Sequence, residues 1–170
     1  MEDLLTSGAY NLRHLAASEI AERALVGSVI LNANATFERV TGIVASTDFG
    51  NGELANVFWT LEVMHTDNQP LNDVVLVATR LKSLGLLDAM GGPVGIAKAV
   101  EFAMPHHAVY YAVEIRRYSR IRQARDAAFA ILSECEKEDC SLAAVASIAA
   151  KRILRLAGAV ELLETMRGVM

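Results

Sequence analysis

The chain has few aromatic residues, few prolines and no long apolar run. Of its 170 residues, 6% are aromatic and three are proline. Aromatic and β-branched residues populate strands, so a chain this poor in aromatics and rich in alanine, leucine, glutamate and arginine disfavours a β-sandwich or barrel. We therefore predict an all-α protein, and 53% hydrophobic residues suffice for a buried core.

The sequence also lacks a disulfide framework, a membrane span and a basic surplus, and each absence excludes a class of protein. Cys135 and Cys140 are too few for a disulfide framework, so we expect free thiols. No segment reaches the roughly 18 apolar residues of a membrane span, and the acidic start Met1–Leu5 is unlike a secretory signal. A net charge of −4 gives no basic surplus to attract nucleic acid or a membrane. We expect a soluble cytoplasmic protein that contacts DNA at most indirectly.

The motifs of catalysis are also missing. A phosphate-binding loop places GK[ST] at a helix start after a strand, whereas the nearest segment, Gly91–Lys98, has a displaced lysine and no preceding β-rich run. The pair His106-His107 has no Glu or Cys at the spacing of a helical metal site. No serine stands at a nucleophile elbow. We predict no catalytic residue, no cofactor and no metal site.

Periodicity predicts three parts. Residues 1–17 show poor periodicity and are predicted to form a flexible N-terminal arm. Residues 18–105 are predicted to form a compact globular head of about five helices. Residues 106–170 are predicted to form a long antiparallel helical hairpin and the start of a linker, because 107–136 contain no glycine or proline.

Polar residues and glycine mark the ends of the predicted helices. Ser18 is predicted to cap the first helix, whose apolar face begins with Ile20. Asn34 and Asp73 are predicted to cap the second and fourth helices. Gly85 stands where a left-handed C-terminal cap is needed.

The last helix carries a narrow apolar seam that runs from Leu142 to Leu163. Leu142 and Val145 are predicted to pack on the preceding long helix of the same chain. A two-helix hairpin cannot bury both helices by itself, so we predict at least a homodimer with an interface of roughly 1,200 Å² or more. The predicted interface residues are Ile121, Phe129, Leu132, Val145, Ile148, Ile153 and Leu156.

Five arginines lie between positions 116 and 125, and three of them share one side of the long helix: Arg116, Arg117 and Arg120. They are the candidate surface for a partner or nucleic acid. Three interpretations stay open: a solvated face that pairs with the acidic segment 134–139 of another subunit, a protein contact, or contact with DNA phosphates.

Several short motifs follow one another between Ile20 and Arg125. In their order and spacing the chain resembles the N-terminal domain of DnaB-type replicative DNA helicases. It departs from that pattern at Gly50, where an aromatic is usual, and at Leu54, where histidine is common. The motifs are Glu22–Leu31, Asp48-Phe49, Gln69-Pro70-Leu71, Gly85-Leu86-Leu87-Asp88, Gly91-Gly92, Pro105, Tyr110-Tyr111-Ala112 and Ile115-Arg116.

The resemblance implies a non-catalytic assembly domain in DNA replication. In such helicases this part forms a collar above the motor ring, hairpins pair into dimers, and three dimers close a hexamer. Primase and, in some systems, a helicase loader engage the collar. ATP and Mg²⁺ belong to a C-terminal RecA-like motor domain that this chain lacks. The alternatives are a stand-alone helical adaptor that binds replication partners and, less favoured, a small enzyme with a pocket in the helical core.

Overall fold

All regular secondary structure in the described part of the chain is helical, as predicted. The computed structural model describes the backbone of residues 3–88 and 91–167, and side chains over 17–33, 35–88 and 91–156. Within these residues there are seven α-helices, two short 3-10 segments, Ser46–Asp48 and Pro105–His107, and no strand. The helices are α1 (Asp3–Leu31), α2 (Ala33–Thr41), α3 (Gly52–Thr66), α4 (Val74–Ser83), α5 (Gly92–Glu101), α6 (Ala108–Cys135) and α7 (Leu142–Arg167).

Side-chain caps begin two of the helices. The Asn51 side chain accepts hydrogen bonds from the Glu53 and Leu54 amides at 2.9 and 3.0 Å, which starts α3. Asp73 accepts from Val75 and Leu76 in the same way, so its prediction as the cap of α4 is confirmed. Each cap satisfies amide groups that have no partner within the helix.

A glycine ends α4. Gly85 has a φ of +70°, a left-handed conformation that costs a side-chain-bearing residue energy. The Leu86 amide donates to the Leu81 carbonyl at 2.9 Å and the Gly85 amide to Lys82 at 3.0 Å, which completes a Schellman cap. The prediction for Gly85 is confirmed.

Two predicted caps are wrong. α1 is already helical from Asp3, so Ser18 lies inside the helix, where its hydroxyl donates to the Glu22 carboxylate at 2.6 Å. Asn34 lies within α2, which begins at Ala33. The backbone of 3–17 is therefore helical, and the predicted flexibility of the arm 1–17 stays a prediction.

The first compact unit, Met1–Ser119, contains one hydrophobic core. In it α1 packs on α2, α3 and α5, while α4 packs on α3 and α5. The start of α6 contributes Ala108, Ala112 and Ile115 to the same core. The largest fully buried apolar side chains are Phe37, Phe58, Leu25, Ile30, Leu54, Leu61, Met64, Leu71, Leu81, Ile96 and Ile115.

The contact of α1 with α5 depends on a glycine. A Cβ atom added at Gly27 would lie 1.9 Å from the carbonyl oxygen of Ala99 and 2.6 Å from its carbonyl carbon. Both atoms are backbone, so no side-chain rotation relieves the overlap. The absence of a side chain at Gly27 therefore sets how closely the two helices approach.

The second compact unit, Arg120–Met170, holds the end of α6 and α7, joined by residues 136–141 as an antiparallel hairpin. The backbone of α7 continues through Gly158, as predicted. Among its side chains described between 120 and 156, Ala127 alone is buried, while Val145, Ile148 and Leu156 are half-buried. Leu142 is 85% exposed, so its predicted packing within the chain is wrong.

Candidate assembly interface

Several large apolar side chains are exposed on the second unit. Phe129 is 63% exposed, and Leu132 and Ile153 are each 58% exposed. All three belong to the predicted oligomer interface. The other predicted members, Ile121, Val145, Ile148 and Leu156, are half-buried. No partner chain is present, so the predicted interface stays a prediction, and its most accessible members are Phe129, Leu132 and Ile153.

Four exposed residues follow one line along α6 and the residue that continues it. Arg125, Phe129, Leu132 and Glu136 follow one another at spacings of four, three and four residues, and all four are exposed. The buried Ala127 lies on the opposite side of the same helix. The helix is thus covered at Ala127, while the line that carries Phe129 and Leu132 is open.

Arg116 is a structural residue. Its guanidinium donates to the buried Asp48 carboxylate, which also accepts from the Ser119 hydroxyl at 2.7 Å and the Ala45 amide at 3.0 Å. The pair joins α6 to the connection between α2 and α3. Its charge already serves the fold, and its predicted contact with a partner or nucleic acid stays a prediction.

The other two arginines of the predicted cluster donate hydrogen bonds to nearby residues of α6. Arg117 is exposed, donates to Glu114 at 3.1 Å and lies 5.8 Å from the ring centre of Tyr118. Arg120 is half-buried and donates to Gln123 at 3.1 Å. Their role in binding a partner stays a prediction.

A second buried carboxylate went unnoticed in the sequence. Glu22 is fully buried and accepts from the Ser18 hydroxyl at 2.6 Å and from the Gly50 and Asn51 amides at 2.7 and 3.0 Å. It therefore fixes the turn that leads into α3. The available signal was a glutamate at the border of the strongly apolar segment that follows it.

A small apolar cavity lies on the first unit. It has a volume of about 290 Å³ and is lined by Glu19, Ile20, Arg23 and Phe102. Ile20, which its spacing places on the apolar face of the first helix, is 68% exposed. Arg23 donates to Glu19 at 3.0 Å along the rim. The cavity offers apolar contact and one neutralised ion pair.

Potential metal ligands do not cluster among the described side chains. Over 17–33, 35–88 and 91–156 no three His, Cys, Asp or Glu side chains are placed to hold a metal ion. His106 and His107 are exposed, with ring centres 4.5 Å apart. Cys135 and Cys140 are exposed free thiols. The search of the same residues for a helix able to cross a membrane found none.

The comparisons with known proteins agree with the helical arrangement. The model of the DnaB-like helicase N terminal domain family matches residues 14–117. A similar solved structure is the N-terminal domain of DnaB helicase from Mycobacterium tuberculosis, with a TM-score of 0.73 and 23% sequence identity. The match covers 80% of this chain and 95% of that chain, and at this identity it supports the fold. No curated protein sequence matches the chain.

The matched segment begins inside α1, spans α2 to α5 and ends in the first half of α6. It includes both buried carboxylates, Glu22 and Asp48, and the close approach at Gly27. Because the family model matches more than half of the residues, this chain belongs to the family of DnaB-like helicase N-terminal domains.

Proposed function

We propose that this chain is a non-catalytic assembly domain of a replicative DNA helicase. Its copies associate through the hairpin to form the N-terminal collar of the ring, as dimers that close into a trimer of dimers. The collar then couples the helicase to primase or to a loader. Membership of the family supports this proposal. ATP and Mg²⁺ would act in a separate motor domain.

The observation that carries the proposal is the exposed apolar surface of the second unit. A phenylalanine and two aliphatic residues, Phe129, Leu132 and Ile153, each leave more than half of their surface in water. Burying apolar surface stabilises a complex by about 25 cal/mol per Å². Association of hairpins therefore removes an unfavourable exposure that the chain alone retains.

Light scattering after size-exclusion chromatography, over a concentration series, tests self-association. We expect a mass of at least twice that of the monomer at micromolar concentration. The double variant Phe129→Glu with Leu132→Glu places two charges in the apolar surface and shifts the protein to monomer. Val75→Glu is the matched control, since Val75 is 74% exposed but lies on α4 in the first unit. A wild-type protein that stays monomeric at all concentrations contradicts the proposal.

The partner role requires a separate experiment. Sedimentation velocity of the chain mixed with the primase of the same organism should show a faster complex. The double variant at Phe129 and Leu132 then reports whether primase binding requires assembly. If neither primase nor loader forms a complex with the assembled protein, the coupling role is wrong and self-association stands alone.

A further inference from the structure

The two cysteines of the chain lie at the two ends of one short connection. Cys135 is the last residue of α6, and Cys140 precedes the start of α7 by two positions. The segment between them, 136–139, contains no glycine or proline. Both cysteines are exposed free thiols. All the thiols of the chain therefore lie in one solvent-accessible turn.

Two successive hydrogen bonds fold this connection. The Lys137 amide donates to the Glu134 carbonyl at 3.4 Å, and the Cys140 amide donates to the Lys137 carbonyl at 3.1 Å. Each bond brings two residues three positions apart within about 7 Å of each other. Fully extended, the path from Cys135 to Cys140 would span about 17 Å. The folded path brings the two cysteines much closer than that.

A lysine side chain lies between the two cysteines. Lys137 donates to the carboxylate of Glu134, the neighbour of Cys135 in the sequence, at 2.6 Å. This hydrogen bond raises the pKa of Lys137, with smaller contributions from Asp139 and Cys140. The Lys137 ammonium is therefore within electrostatic range of the Cys140 sulfur. The thiolate is the form of cysteine that attacks a disulfide bond, and a thiolate at Cys140 has this cation nearby.

No packed side chain fixes the connection. Residues 135–141 are all exposed, so an oxidant in water can reach both sulfurs. A disulfide requires two Cα atoms about 4.4–6.8 Å apart. Because nothing in 135–141 is buried, the backbone can adjust to that separation without disturbing a core.

We propose that Cys135 and Cys140 form a dithiol site, which small disulfide oxidants close into a bond within the chain. The free thiols of the structure are the reduced state of this site. The bond ties the end of α6 to the residue two positions before α7, so it fixes the turn under oxidising conditions. This inference goes beyond the proposed function and does not depend on self-association.

The reaction is a thiol–disulfide exchange in two steps. The sulfur of one cysteine attacks a sulfur of the oxidant, which breaks the S–S bond of the oxidant, forms a mixed disulfide and releases one thiol with the proton. The second cysteine attacks the protein sulfur of the mixed disulfide, forms the bond within the chain and releases a second thiol. The protein loses two electrons and two protons, and the oxidant gains them as it becomes two thiols.

Equilibration of the reduced full chain with 2-mercaptoethanol and its disulfide tests the dithiol site. This oxidant is uncharged, so the carboxylates of the turn do not repel it. Closure of the ring lowers the intact mass by two hydrogen atoms, whereas each mixed disulfide adds one mercaptoethanol group. With the free thiol at about 1 mM we expect the ring to exceed the mixed disulfides roughly tenfold, because two thiols on so short a connection have an effective concentration on the order of 10 mM or more.

Trypsin identifies the bond. Lys137 is the one tryptic site between the two cysteines. Cleavage of the unfolded, oxidised protein should therefore release two peptides, one with Cys135 and one with Cys140, that stay joined until a reductant separates them. A disulfide that joins two copies of the chain, or two separate mercaptoethanol adducts as the main product, would overturn the proposal.

Variants separate geometry from the mere presence of two thiols. Cys135→Ser and Cys140→Ser should each stop at one mixed disulfide. The matched control combines Cys135→Ser with Ser133→Cys, which moves the thiol two positions back along α6 and turns it by about 200° to another side of the helix. Ser133 is exposed, so the helix tolerates the change, and circular dichroism checks it. Ring closure in this control should fall at least tenfold, and closure equal to that of the wild type would contradict the assigned geometry.

Amide hydrogen exchange tests the effect on the turn. In the oxidised protein, exchange over 136–141 and the first turn of α7 should slow by roughly tenfold relative to the reduced protein, because the bond restricts opening of the connection. Exchange in α1 and α3 should stay the same. If the ring forms but exchange over 136–141 does not change, the bond does not fix the turn and that part of the proposal is wrong.

Discussion

In the first unit, Phe37, Phe58 and Ile115 are fully buried, whereas in the second unit Phe129 and Leu132 leave more than half of their surface in water. The two units also treat charge differently. The first encloses Glu22 and Asp48, each with several hydrogen-bond donors, while no charged side chain described in the second is buried.

This contrast shows which unit satisfies its buried groups with residues of its own chain. A buried carboxylate is tolerated only where donors satisfy it, so the enclosed Glu22 and Asp48 require the surrounding helices to be in place. In the second unit no described carboxylate is buried, so none depends on the surrounding helices for hydrogen-bond donors. Its large apolar residues remain exposed. The first unit thus specifies its own fold, and under the proposed function a second copy covers the exposed apolar residues of the second unit.

Gly27→Ala should break the first unit most severely. The added Cβ would overlap the Ala99 carbonyl, so α1 and α5 must separate. We expect the free energy of unfolding to fall by about 3 kcal/mol or more, measured by urea denaturation. Gly42→Ala is the control, since no atom lies within 4 Å of a Cβ there, and it should change stability by less than about 1 kcal/mol. Equal stability of the two variants would contradict this account of the helix contact.

Asp48→Ala should destabilise the first unit through its buried ion pair. It removes the acceptor of the Arg116 guanidinium, the Ser119 hydroxyl and the Ala45 amide. Because Arg116 keeps some access to water, we expect a loss of about 2–3 kcal/mol in urea unfolding. Glu114→Ala removes the exposed partner of Arg117 and should cost less than about 1 kcal/mol. A similar small loss for both would mean that the buried ion pair does not secure α6.

Two phenylalanines sharpen the comparison between the units. Phe58→Ala should cost about 3–5 kcal/mol, as for a large side chain removed from a core. Phe129→Ala, measured at a dilution where the wild type is monomeric, should change the free energy of unfolding by less than about 1 kcal/mol, a much smaller effect than that of Phe58→Ala. At high concentration the same substitution should weaken association. A large loss in the dilute monomer would show that Phe129 belongs to a core of its own chain.

The sequence sufficed for features that depend on neighbouring residues. The all-α fold, the cap at Asp73, the left-handed Gly85 and the continuous helices α6 and α7 follow from local propensity and turn chemistry. The start of α1 was missed, because helical periodicity is weak before Ser18 although the backbone there is helical.

Features that depend on distant residues escaped prediction. Arg116 and Asp48 are separated by 68 positions, and Glu22 and Gly50 by 28, so nothing local marks them as partners. Ile20 fits the apolar spacing of α1 but lies where neighbouring elements leave it exposed. In the predicted interface, the spacing of Phe129 and Leu132 selected residues that are open, while Val145 and Leu156 are half-buried within the chain.

The most direct test of the central claim is amide hydrogen exchange as a function of protein concentration. If the first unit is complete by itself and the second is completed by another copy, protection of amides in α1 and α3 stays constant, while protection in the hairpin rises as copies associate. Hairpin protection that is the same in the dilute and concentrated protein, with the protein associated in the latter, would contradict the account.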